Sequence, residues 1–180
     1  MLLDIITQTD FAGAIDETYH CPGAAKLSGL FRNIRSENPE GTLYLDAGDI
    51  LCGAPIVNLT EGEPVVEVMN KFAPDAMCLG NHEFDNGIAE LARRLKNLRN
   101  DVVCANYDFT GTLLEGLVQP YTIVKKAGKK IGIIGLLTDI SSVVDSEIAK
   151  VLQYQDPVAV TSKYADYLKN EKGCDIVICL

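Results

Sequence analysis

Three polar side chains that can bind cations follow three separate apolar runs. Asp10 lies in Thr9-Asp10-Phe11-Ala12-Gly13, Asp49 in Asp46-Ala47-Gly48-Asp49, and Asn81 in Gly80-Asn81-His82-Glu83-Phe84-Asp85. Two carboxylates and an amide offer hard oxygen donors, suited to Mg²⁺, Mn²⁺, Fe or Zn²⁺ when an imidazole helps. A carboxylate can bridge two cations and offset their repulsion, and Asp49 is the central one of the three. His82 stands next to Asn81, with Asp85 one turn further on, so an imidazole and a carboxylate accompany the donors. Each residue alone has a plainer reading. A strand-end Asp is a common turn former or helix cap, a lone His is more often structural, Asn106 can cap a turn, and Asp85 suits the start of a helix. The ordered set is far harder to obtain by chance.

The apolar runs that precede these residues read as strands: Leu3–Thr7, Thr42–Asp46, Ala76–Leu79, Val102–Ala105, Lys130–Leu137 and Asp175–Leu180. They are continuous rather than alternating, which predicts strands covered on both faces. Tyr121–Lys125 is expected to pair with Lys130–Leu137 across Ala127-Gly128-Lys129. Helical patterns fill the gaps at Ala24–Glu37, Pro64–Phe72, Ile88–Leu98 and Pro157–Lys169, with a weaker one at Ser141–Leu152. The alternation implies an α/β fold, layered, with a mainly parallel sheet flanked by helices. In such sheets ligands bind beyond the carboxyl ends of the strands. Asp10, Asp49 and Asn81 are therefore expected on one rim.

Sixteen basic residues against 25 acidic ones leave a net charge of −9, which argues against unaided nucleic-acid binding. No apolar run reaches the length of a membrane span, and the first, Leu2 to Ile6, is short and carries Asp4, unlike a secretory leader. Neither a nucleic acid nor a membrane is expected as a partner. The six cysteines form no CxxC pair and read as reduced thiols. The sequence does not name a compartment.

GDxxxG at Gly48–Gly53 followed by GNHEFD at Gly80–Asp85 resembles the calcineurin-like metallophosphatases, and GNHEFDNG is typical of their 5′-nucleotidase branch. LDAGDILCG (Leu45–Gly53), CAN (Cys104–Asn106), PYTIVKKAGKKIGIIGLL (Pro120–Leu137) and Asp156–Leu180 also read like that branch. The resemblance implies a sandwich of two sheets flanked by helices. It implies two divalent metal ions (Mn, Zn, Mg or Fe) and in-line attack of activated water on a phosphate ester of a nucleotide or similar substrate. Asp10 would ligate the first metal, Asp49 would bridge both, and Asn81 would ligate the second and touch the substrate phosphate. His82, oriented by Asp85, would stabilise developing charge on the phosphate or protonate the leaving oxygen. Family members are often exported.

Two departures accompany the resemblance. The family's first motif is Asp-x-His, whereas here it reads Asp10-Phe11-Ala12, and alanine has no donor atom. The family's later histidine-bearing loop and GHxH segment, and its carboxyl-terminal nucleotide-binding domain, have no counterpart in these 180 residues. Residues 1–180 are thus expected to form a single partial domain, a truncated piece of a longer phosphatase, inactive alone and binding one metal ion or none. Alternatives are a degenerate, non-catalytic binding or interaction domain and a cyclic-nucleotide phosphodiesterase. The missing strands are expected to bare one inner sheet face, built from residues such as Ile5, Leu43, Leu45, Val103, Ile133 and Ile178, and so to favour self-association.

Overall fold

The computed structural model describes residues 2–18 and 20–180. Four parallel strands, β1 (Asp4–Gln8), β2 (Thr42–Asp46), β3 (Ala76–Cys78) and β4 (Val102–Val103), form the first sheet in sequential order. Gln8 stands opposite Asp46, and Asp46 opposite Met77, so the strands end together on one rim. β2 is buried along its whole length because it is central and covered on both faces. Tyr44 points to the helical side, where it packs on Phe31 of α1 (Gly23–Glu37) at 4.5 Å between ring centroids. Phe31 in turn meets Phe72 of α3 (Glu63–Phe72) edge to face at 5.2 Å. Val65, Val66, Met69 and Phe72 are the buried side of α3, a helical spacing that follows from the 3.6-residue period. A shorter helix, α2 (Pro55–Thr60), precedes it, and α4 (Gly87–Leu95) closes the same layer.

β5 (Tyr107–Asp108) and β8 (Gln153–Tyr154) make a small antiparallel pair. The second large sheet joins β6 (Tyr121–Lys126), β7 (Lys129–Ile134) and β9 (Ile176–Cys179). β6 and β7 form the expected hairpin, and Ala127 and Gly128 in its turn have φ of 51° and 72°. Two left-handed residues give the turn a twist that matches the strands. β7 and β9 run parallel, linked by α5 (Ser146–Val151) and α6 (Pro157–Asn170). The Asp156 side chain caps α6 by accepting the Val158 and Ala159 N–H groups.

The two sheets pack face to face. Leu43, Leu45, Ala76 and Val103 from the first meet Ile131 and Ile133 from the second, all fully buried. The expected bare inner face is thus corrected: Leu43, Leu45, Val103 and Ile133 are covered by strands of this same chain. What stays open is the edge. Ile178 is half-buried, and Ile5 on the edge strand β1 remains 50% exposed. β1 therefore also departs from the expectation of burial on both faces. Asn106 joins the layers from within, its amide accepting the Leu137 N–H at 2.9 Å and donating to the Leu137 carbonyl at 2.7 Å. It is a fully buried staple between the strand ends, not a group facing solvent.

Candidate active site

The loops after β1, β2 and β3 converge on the rim. Backbone bonds zip the first two together: Asp10 N–H donates to the Gly48 carbonyl, Ala12 N–H to that of Asp49, and Gly13 N–H to that of Ile50. Asp10 and Asp49 both sit in the left-handed region, with φ of 52° and 57°. Such non-glycine residues cost on the order of 1 kcal/mol each and persist only where their surroundings impose them. The third loop is held against the second. The His82 N–H donates to Asp49 Oδ1 at 2.9 Å, and a Cβ on Gly80 would collide with the same oxygen. Glycine is required at position 80 because no side-chain atom fits between the two turns.

His82 Nδ1 lies 2.9 Å from Asp85 Oδ2, so the carboxylate fixes the ring and leaves Nε2 facing away from it. That hydrogen bond raises the imidazole's pKa above its ordinary value. Both side chains are close to half exposed. Asn81 opens the short 3-10 turn His82–Phe84, between Gly80 and the imidazole. Asp10 is exposed and accepts a 2.6 Å hydrogen bond from Thr9 Oγ1.

Asp10, Asp49, Asn81, His82 and Asp85 thus share one rim. Asp49, His82 and Asp85 are joined by side-chain hydrogen bonds, whereas Asp10 joins through its backbone. Two further carboxylates lie beneath them. Asp46, fully buried at the end of β2, accepts the Gly48 N–H and the Gln8 amide, and burial pushes its pKa up to about 7. Glu83, 2% exposed, accepts N–H groups from Asp49, Ile50, Leu51 and Gly80. Burial raises its pKa and the N–H donors lower it. The sequence pattern assigns Glu83 no role. Its only signal there is a carboxylate inside a motif that is otherwise apolar or glycine at that depth. The field of these acids is felt by Cys52, whose thiol is pushed up to about 12 by burial, with Asp49, Glu83, Asp85 and Asp10 adding to the shift. All six cysteines are free thiols.

The donor set fits a hard cation in kind but is sparse in number. Among the described residues no three His, Cys, Asp or Glu side chains group closely enough to hold an ion. A cation here would depend on Asp10, Asp49 and the amide oxygen of Asn81.

The sequence model of the calcineurin-like phosphoesterase family matches residues 12–180. The chain belongs to the calcineurin-like phosphoesterase family. Several of the relatives it resembles are 5′-nucleotidases. The snake venom 5′-nucleotidase of Naja atra is 37% identical over 150 residues, 81% of this chain and 28% of that protein. The 5′-nucleotidase of Rattus norvegicus is 32% identical over 167 residues, covering 91% of this chain and 29% of its own length. The crystal structure of a 5′-nucleotidase precursor from Thermus thermophilus superposes with a TM-score of 0.84 at 31% identity, covering 98% of this chain and 36% of that one. The chain spans about a third or less of the length of these relatives. The Thermus thermophilus structure shares this α/β fold with its parallel four-stranded sheet, and the calcineurin-like phosphoesterases use divalent metal ions.

Proposed function

We propose that this chain carries part of the active site of a metal-dependent phosphoester hydrolase that acts on nucleotide phosphates, as a 5′-nucleotidase does. The observation that carries this reading is the double engagement of His82. Its ring is held by Asp85, and its backbone N–H is held by Asp49. The imidazole is thereby fixed beside the acidic strand ends. With Nδ1 bonded to Asp85, the Nε2–H would face a phosphoryl oxygen, stabilise its charge, and pass a proton to the leaving oxygen. Asp10, Asp49 and Asn81 would hold one oxygen-preferring divalent cation, with Asn81 also touching the phosphate. When bound, such a cation neutralises phosphate charge and makes water nucleophilic near neutral pH. A second ion would need ligands beyond these side chains, so the chain by itself is expected to hydrolyse nucleotide monophosphates no faster than a blank.

Ala12 favours a second reading, a degenerate phosphatase-like domain that binds a phosphate or a cation without turnover. One experiment tests binding and turnover together. The chain is mixed with Mn²⁺ and adenosine monophosphate, and paramagnetic broadening of the ³¹P signal is followed beside phosphate release. Broadening beyond that from free Mn²⁺, lost in Asp49→Asn and His82→Ala, supports a phosphate held next to the cation. Broadening identical in wild type and Asp49→Asn would refute the first reading and leave the second only a phosphate bound without a cation. Turnover that Asp49→Asn abolishes would show that the site is complete within this chain.

A further inference from the structure

We infer that Glu83 is a positioning residue: its buried carboxylate sets the separation of the Asp49 and Asn81–His82 turns, and through it the cation and phosphate geometry of the rim. The inference rests on the proposed cation site and deepens it. Glu83 is 2% exposed, beneath the rim rather than on it. Its two oxygens both serve the Asp49–Leu51 turn, and one of them also serves the Gly80 turn. Oε1 accepts Ile50 N–H at 2.7 Å and Leu51 N–H at 3.3 Å, while Oε2 accepts Asp49 N–H at 3.0 Å and the Gly80 N–H.

Those bonds hold Asp49 where a β-carbon is unfavourable, at φ 57°. With its own N–H tied down beneath, the Asp49 side chain is turned up to the rim, where Oδ1 accepts the His82 N–H. The same backbone orientation lets the Asp49 carbonyl receive the Ala12 N–H from the first loop. Asp46 secures the other flank by accepting the Gly48 N–H at 2.9 Å. One carboxylate thus connects all three loops, two directly and the third through Asp49. A group that merely filled space would not need to accept from both sides of the Asp49–His82 contact.

Glu83→Gln keeps the volume but turns an amide NH₂ toward backbone N–H groups that need acceptors. The test is amide hydrogen exchange on the whole chain, together with Mn²⁺ binding read by water-proton relaxation. The His82 and Ala12 amides, neither bonded to Glu83, are expected to exchange about tenfold faster in Glu83→Gln, the cost of one such lost interaction. Mn²⁺ affinity is expected to fall by about the same factor. β6–β7 amides should keep their protection. Leu168→Ala, in the fully buried core beneath α6, is the control for general destabilisation and should leave both rim readouts in place. If Glu83→Gln does not fold, Glu83→Asp, which withdraws the charge by one methylene, is measured instead with the same expectation. Unchanged His82 and Ala12 exchange relative to the control overturns the inference. Exchange that rises as expected, with no Asp49-dependent Mn²⁺ binding in the wild type, would uphold the positioning of the rim and refute the cation site instead.

Discussion

The two halves of the rim are built to different standards. The Asp49–Asp85 half is anchored from below by Glu83, cross-linked by the His82 N–H, and finished by the His82–Asp85 pair. The Asp10–Ala12 half hangs from the first by backbone bonds, its carboxylate exposed and tied to Thr9. It also borders a cavity of about 680 Å³ between β1 and α1, lined by apolar side chains including Ile6, Leu27 and Phe31. The contrast teaches that backbone bonds alone can hold a loop on the rim while its side chains stay unanchored. Ala12 still donates its N–H to Asp49 at φ 49°, in a conformation that serves a loop more than an alanine.

If support is as unequal as that, truncation should be unequal too. Glu83→Ala strands four backbone donors in the interior and is expected to cost about 3–5 kcal/mol in chemical denaturation, against within about 0.5 kcal/mol for Asp10→Ala at its exposed site. Equal losses would break the comparison.

Asp46 supplies the next effect, through pH. Its folded pKa, about 7, lies above the ordinary 3.8, so burial favours its protonated form. Stability from this group is full at low pH and declines as pH rises from near 4 towards 7, with a slope on the order of 1 kcal/mol per pH unit. Asp46→Asn should flatten that segment of the stability–pH curve. A curve with the same slope in the variant would mean that Asp46 is charged without penalty in the fold.

The smallest effect is at His82. Asp85 raises its pKa above 6.5, so the pair's contribution is present below the ordinary histidine pKa and fades as pH rises through the raised one. NMR titration of the imidazole should show a midpoint above that of an unperturbed histidine, returning to it in Asp85→Asn. An unchanged midpoint would show that the 2.9 Å contact does not orient the ring in solution.

Much of the architecture is legible in sequence because its signals are local. The apolar run Thr42–Asp46 predicts β2 and β2 is found there, and the β6–β7 hairpin follows from Ala127-Gly128 between two apolar runs. What is not legible depends on who packs against whom. A central strand and an edge strand both read as apolar runs, yet β2 is buried throughout while Ile5 of β1 stays half exposed. The face expected to be bare is covered because β7 brings Ile131 and Ile133 against Leu43 and Leu45, with Ile176 and Ile178 of β9 packed beside them, a pairing that no local pattern encodes. The β5–β8 pair and α2 are too short to stand out from the loops around them. α5 starts at its Asp145 cap, later than Ser141, because the capping carboxylate accepts from Glu147 N–H. In the site, residues with exposed chemistry are readable from motif order. Glu83 is not, because its partners are backbone N–H groups that become neighbours only after folding.

Titration of the 180-residue chain with Mn²⁺, followed by calorimetry beside Asp49→Asn, tests the central claim most directly. The sparse donor set predicts one weak site, with a dissociation constant on the order of millimolar or about 4 kcal/mol of binding, abolished in the variant. Two tight sites, or a weak site indifferent to Asp49, would contradict it.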